Sequence, residues 1–159
     1  MVLKDVAQII KQYMSLSDGQ IWLKNQKVGL PKDQTFCVTV GFMGNAKTIG
    51  STKRNVEDVE TISLTQYAII TIDIFGLSQE VPLRKNEIIM ALNSSISNEA
   101  QNKLGFSISS HPLTDNDLSA LDGAAIPYRF QLTFAVQFMQ ENKTSFDYYD
   151  SFNNEIKTE

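Results

Sequence analysis

The most constraining feature of the chain is a run near its C-terminal end in which apolar and mostly polar positions alternate. Ile126, Tyr128, Phe130, Leu132, Phe134, Val136 and Phe138 fall on one side, and Pro127, Arg129, Gln131, Thr133, Ala135, Gln137 and Met139 on the other. A period of two over this length predicts a long antiparallel strand with one core face and one polar face. A second run, Leu64 to Phe75, places Ala68, Ile70, Ile72 and Ile74 on one face. Its other face, Tyr67, Ile69, Thr71, Asp73 and Phe75, is half apolar. That strand is expected to be covered on both sides, by helices on one and by a neighbour or loop on the other.

Helical spacing supplies the covering layer. Val2, Leu3, Val6, Ile9, Ile10, Tyr13 and Met14 form one stripe, stopped by Ser17, Asp18 and Gly19. Val81, Lys85, Ile88, Ile89, Leu92 and Ile96 form another, with Ser78 as a cap, Pro82 in the first turn and Gly105 at the exit. The run 98–103 finishes that helix or adds a turn. Phe36, Val38, Val40 and Phe42 alternate as a strand, as do Phe106 and Ile108. Ile21, Trp22 and Leu23 form a short apolar piece.

Residues 44–60 read as a long excursion, first basic (Lys47, Lys53, Arg54) and then acidic (Glu57, Asp58, Glu60). Part of it is expected to be a β-hairpin with Thr48 to Lys53 at its tip. Residues 112–123 read as a polar loop. The resulting expectation is an α+β fold: a mostly antiparallel sheet, two main helices on one face, a long hairpin or loop, and a C-terminal arm. A single domain is expected over 1–140 and the arm over 141–159, where Phe146, Tyr148, Tyr149 and Phe152 place four aromatics in seven residues. A disordered tail seldom carries so many.

Composition narrows function mainly by exclusion. At 159 residues and 42% hydrophobic, the chain can bury a core without disulfides or metals. The net charge of −4, without clustered Lys and Arg, argues against broad nucleic-acid binding. No stretch has the apolar length of a membrane span. Lys4, Asp5, Lys11 and Gln12 interrupt what would be a signal-peptide core, so assembly in the cytoplasm is expected.

Catalytic constellations are not recognisable. His111 is the only histidine and stands before Pro112. Cys37, the only cysteine, lies in an apolar run and reads as a small buried hydrophobe. Asp115, Asn116, Asp117 and Asp122 are the densest hard-ligand group but lack the rest of a calcium loop. Nothing in the spacing of Glu57, Asp58, Glu60 and Asp73 selects a glycosidase pair. No phosphate-binding glycine pattern occurs. The expectation is a non-enzymatic protein with no cofactor and no metal.

Five stretches in order, GLPKDQTFCVTVGF, ETISLTQYAIITIDIFG, VPLRKNEIIMALNSSI, KLGFSISSHPLTD and IPYRFQLTFAVQF, resemble the tail-terminator or neck-terminator proteins of tailed bacteriophages. The likeness spans roughly residues 2–153. It implies an α+β subunit, six of which form a ring at the head-proximal end of the tail. The ring stops growth of the tube and meets the head-side connector, with DNA passing through its lumen without sequence-specific binding. The implied partners are other copies of the chain, the tail tube protein and the neck proteins, in a virion and away from any membrane. The family has no catalytic residues to carry over.

From the residues themselves, two surfaces are candidate subunit interfaces. One is Tyr67, Ile69 and Phe75; the other is Phe146, Tyr148, Tyr149 and Phe152. Lys47, Lys53 and Arg54 are candidates for a loop reaching the lumen or an axial partner. Other readings are a stopper or adaptor of the neck, a cytosolic binding domain for a small apolar ligand, and a hydrolase using the acidic residues.

Overall fold

A computed structural model describes residues 2–24, 26, 36–56, 58–119 and 128–145. In chain order the elements are α1 (Val2–Met14), β1 (Ile21–Leu23), β2 (Cys37–Phe42), β3 (Lys47–Val56), β4 (Val59–Gly76), α2 (Val81–Leu92), α3 (Ser95–Leu104), β5 (Phe106–Ile108), β6 (Thr114–Asp117) and β7 (Tyr128–Ser145). The fold is α+β, with three helices and a mixed, mostly antiparallel sheet of seven strands.

Those strands occupy five lanes. β4 and β7 pair antiparallel over their whole lengths, from Val59 opposite Ser145 to Gly76 opposite Tyr128. The other edge of β4 is shared end to end by β2, opposite 70–75, and β3, opposite 59–67. β5 and β6 likewise share the other edge of β7, opposite 136–138 and 130–133. β1 adds in parallel outside β2.

β2 and β3 therefore form one interrupted arm of a long hairpin with β4. The interruption at 43–46 uses Gly44, whose φ of 76° an L side chain rarely adopts. The expected excursion over 44–60 is thus mostly strand. Its reversal lies between paired Val56 and Val59, and not at Thr48 to Lys53. Asp58 takes the positive φ that the turn requires. A register shift at Ile49 adds a bulge to β3.

The apolar stripes become one core. Leu3, Val6, Ile9, Ile10 and Met14 of α1 are buried, whereas Tyr13, assigned to the same stripe, is 40% exposed. Val81, Ile88 and Leu92 of α2 join them against Val38, Val40, Ile70, Ile72, Ile74, Leu132, Phe134 and Val136 of the sheet. All three helices lie on this one face, called here the helix side. Among the described residues no helix or strand covers the opposite, outer side.

The second helix of the sequence reading is two helices. Asn93 and Ser94 break it, and the Ser94 side chain caps α3 by accepting from the Ser97 amide at 3.2 Å. Gly105, in the left-handed conformation, closes α3. Ser78 caps no helix directly; its hydroxyl accepts from the amide of Glu80, the residue just before α2. The polar loop over 112–123 contains β6, held to β7 by its ladder and by a 2.7 Å Thr114–Thr133 hydroxyl pair. β7 runs to Ser145, so the expected boundary at 140 falls inside a strand.

Candidate assembly surface

β4 and β7 extend farther than the helix layer. From Phe138 back toward Tyr128, β7 is buried or half-buried except at Gln137; from Met139 to Ser145 every residue is exposed. β3 is exposed along its entire length. Residues 47–56, 59–67 and 137–145 thus form a three-stranded ribbon projecting from the domain. The β4 portion reaches about 30 Å at the rise of an extended strand. Both ribbon edges, the outer edge of β3 and that of β7 beyond Phe138, lack a partner strand among the described residues.

Strand alternation sorts the ribbon's side chains into two unlike faces. On the helix side, continuing from Ala68 and Val136, lie Glu60, Ile62, Leu64, Lys53, Asn55, Gln140 and Asn142. Lys53 and Glu60 form an ion pair there, and the face has no other charge. The outer side is built in rows across the three strands: Lys47–Tyr67–Gln137, Gly50–Thr65–Met139, Thr52–Ser63–Glu141, Arg54–Thr61–Lys143 and Val56–Val59–Ser145. It carries Lys47, Arg54 and Lys143 against one carboxylate, Glu141, which accepts a 3.2 Å hydrogen bond from the Ser63 hydroxyl. A shallow concavity of about 550 Å³ runs over these rows, from Thr52 and Arg54 across Ser63 to Met139 and Lys143.

A second concavity, of about 320 Å³, sits in the angle between ribbon and helices on the helix side. Val2, Phe42, Leu104, Phe106 and Phe138 give it an apolar lining, and Asp5 stands beside them. Phe42 and Phe138 stack at its floor with ring centroids 6.4 Å apart.

The expected interface residues separate in space. Tyr67 and Ile69 are half-buried on the outer side at the ribbon's root. Phe75 lies at the other end of β4, where Trp22 packs edge-on at 5.9 Å, so it is engaged within the subunit. Phe146, Tyr148, Tyr149 and Phe152 lie outside the described residues. Lys47, Lys53 and Arg54 stand on a strand and not in a loop, and alternation divides them: Lys47 and Arg54 face outward, Lys53 faces the helix side. Lys143, one strand-pair beyond Thr61 in the Arg54 row, was not singled out from sequence. Its neighbourhood, Gln140 to Ser145, has no apolar alternation to mark it as strand.

Between the ribbon and the Trp22 end, the outer side holds a polar centre. Asp73 is buried at 4% exposure, accepts from the Gln131 amide at 2.8 Å and pairs with Lys24 at 3.2 Å. The Lys24 stem lies over Gly41, where a Cβ would meet the Lys24 Cβ at 2.7 Å. A buried carboxylate so compensated is a structural pairing of sheet lanes.

Several of the other acidic groups are locally engaged. Asp117 accepts from both the hydroxyl and the amide of Ser119, which holds its carboxyl below the ordinary range. Lys11 does the same to Asp18. Asp115 pairs with Lys85 at 2.7 Å. Among the described residues no group of three or more His, Cys, Asp and Glu could hold a metal ion, and no helix is long and apolar enough to cross a membrane. No protein-family model matches the sequence, and no curated protein matches it at significant similarity.

Proposed function

We propose that the protein is a non-enzymatic virion component that forms a ring, six subunits in number, at the head-proximal end of a phage tail. There it ends the tail tube and joins it to the neck, with DNA passing through the lumen. The observation that carries this reading is the ribbon. Three strands project beyond the helix layer, with two strand edges unpaired among the described residues and two chemically different faces. A cyclic assembly needs unlike surfaces that meet head to tail, so that rotation closes the ring. One protruding element and one concave corner on the same subunit meet that requirement. The order of the five sequence stretches adds the family resemblance, which reaches function by analogy and not through a site.

The ribbon's edge chemistry fits controlled assembly. β3 carries Lys47, Lys53, Arg54 and a bulge, devices that discourage indiscriminate edge pairing. Joining through side chains on the faces is therefore favoured over open-ended strand addition.

The test is the solution mass of the purified chain, followed by incubation with purified tail tubes and negative-stain imaging. Rings that sit on one end of the tube support the proposal. A mass of one chain, together with no binding to tubes, opposes it. A second reading rests on the apolar corner at Phe42, Phe106 and Phe138: a monomeric domain binding a small apolar ligand. It requires a monomer whose melting temperature rises with ligand.

A further inference from the structure

We propose that the acidic, aromatic segment 146–159 of one subunit docks on the outer ribbon face of the next subunit, with Arg54 and Lys143 as its charge anchors. The proposal rests on the ring reading and specifies one of its contacts. Three observations support it.

The first is charge. Segment 146–159 contains Asp147, Asp150, Glu155 and Glu159 against Lys157, a side-chain charge of −3. The outer ribbon face has Lys47, Arg54 and Lys143 against Glu141, a side-chain charge of +2. Arg54 and Lys143 flank Thr61 in one row, so they stand two strand spacings apart, about 10 Å. Among the described residues neither forms an ion pair. The opposite ribbon face balances Lys53 with Glu60 and offers no such field.

The second is shape and apolar content. The concavity of about 550 Å³ lies on this face, with Val56 (47% exposed) and Met139 (54% exposed) near its ends. Exposed Met and Val side chains give aromatic rings an apolar, adaptable contact. The segment brings Phe146, Tyr148, Tyr149 and Phe152. Aromatic anchors flanked by charge are the usual currency of peptide docking.

The third is direction. β7 delivers the chain at Ser145, opposite Val59, at the far end of the ribbon from the helices. An immediate reversal into the same subunit's concavity would have to be made without glycine or proline, which residues 146–152 lack. Fourteen residues, 146–159, span about 45 Å when extended, enough to cross to an adjacent subunit.

The test uses two full-length variants mixed in equal amounts, Thr52→Cys in the concavity and Ser151→Cys in the segment. A short bis-maleimide then links them, and solution mass is measured in parallel. Cys37 is buried and does not compete. The expected product is a covalent dimer of the two variants within an intact ring. Arg54→Glu with Lys143→Glu on the Thr52→Cys chain should lower its yield at least tenfold. Asp147→Lys with Asp150→Lys on the Ser151→Cys chain should restore it. Val56→Cys replaces Thr52→Cys should that variant misfold. Normal ring mass without a linked dimer overturns this inference and leaves the ring standing. A doubly substituted Thr52→Cys/Ser151→Cys chain that links only within itself, or a yield indifferent to charge reversal, also overturns it. A single-chain mass with no link, together with no binding to tail tubes, removes the ring reading as well.

Discussion

The same two strands, β4 and β7, behave as two materials along their length. Over 68–76 and 128–136 they lie under helices: Ile70, Ile72, Ile74, Leu132 and Phe134 have no exposed surface. Over 59–67 and 137–145 the hydrogen-bond ladder continues unchanged, yet β7 is exposed beyond Phe138 and β3 is exposed throughout. Backbone pairing is therefore common to both halves, and burial is what differs. The core half supplies stability, and the ribbon half keeps the register while leaving its side chains free for partners. A short isolated ribbon is marginal in water; this one is held because two of its strands are rooted in the core.

The comparison breaks most visibly under substitution. Phe134→Ala removes a fully buried ring and should cost about 3–5 kcal/mol of stability. Ile62→Ala on the ribbon, 40% exposed in the isolated subunit, should cost less than about 1 kcal/mol. Urea unfolding of both variants checks the pair, and equal losses would deny the division. Hydrogen exchange sharpens the point without mutation. Amides of β7 near Leu132 and Phe134 should exchange only through global unfolding, and those from Met139 to Ser145 through local opening at much lower free energy.

The polar pairing on the outer side should show an intermediate effect. Lys24→Met leaves Asp73 buried with only Gln131 as a polar partner among the contacts described, and should cost about 1–2 kcal/mol. Gly41→Val should be destabilising through the same pairing, because its side chain occupies the path of the Lys24 stem. Thermal melts of the two single variants and the double variant test this: losses well short of additive are expected, since both act on one contact.

The smallest effect is electrostatic. The carboxyls of Asp117 and Asp18 have folded-state pKa values lowered by their hydrogen-bonding partners. A lowered folded value means the contribution is present above the unfolded carboxylate pKa and is lost as pH falls through the folded one. The stability difference between wild type and Asp117→Ala should thus be constant near neutrality and shrink below about pH 4. A gap that widens in acid would contradict the assignment.

What was legible in sequence followed burial. α1 and the core halves of β4 and β7 announce themselves because one face meets the core, and periodicity records that contact. β3 and the end of β7 pair with β4 but their side chains reach no core, so Lys47 to Val56 and Gln140 to Ser145 carry no apolar alternation and read as loop or arm. β6 is an exposed four-residue edge strand, TDND, with the composition of a turn. Of the candidate site, Lys47 and Arg54 were found by charge alone. Lys53 was grouped with them because face assignment requires knowing that the segment is a strand. Lys143 joins them only through pairing with Thr61, a contact across 82 residues of sequence that no local pattern encodes.

The central claim, that the ribbon is an assembly element of a ring, is tested most directly by light scattering of the purified full-length chain beside its Arg54→Glu/Lys143→Glu variant. A wild-type mass near six times 17.8 kDa, falling toward one chain in a variant that unfolds at the same urea concentration, is the expected result. A wild type that stays at the mass of one chain at every concentration, and that binds no added tail tubes, would contradict it.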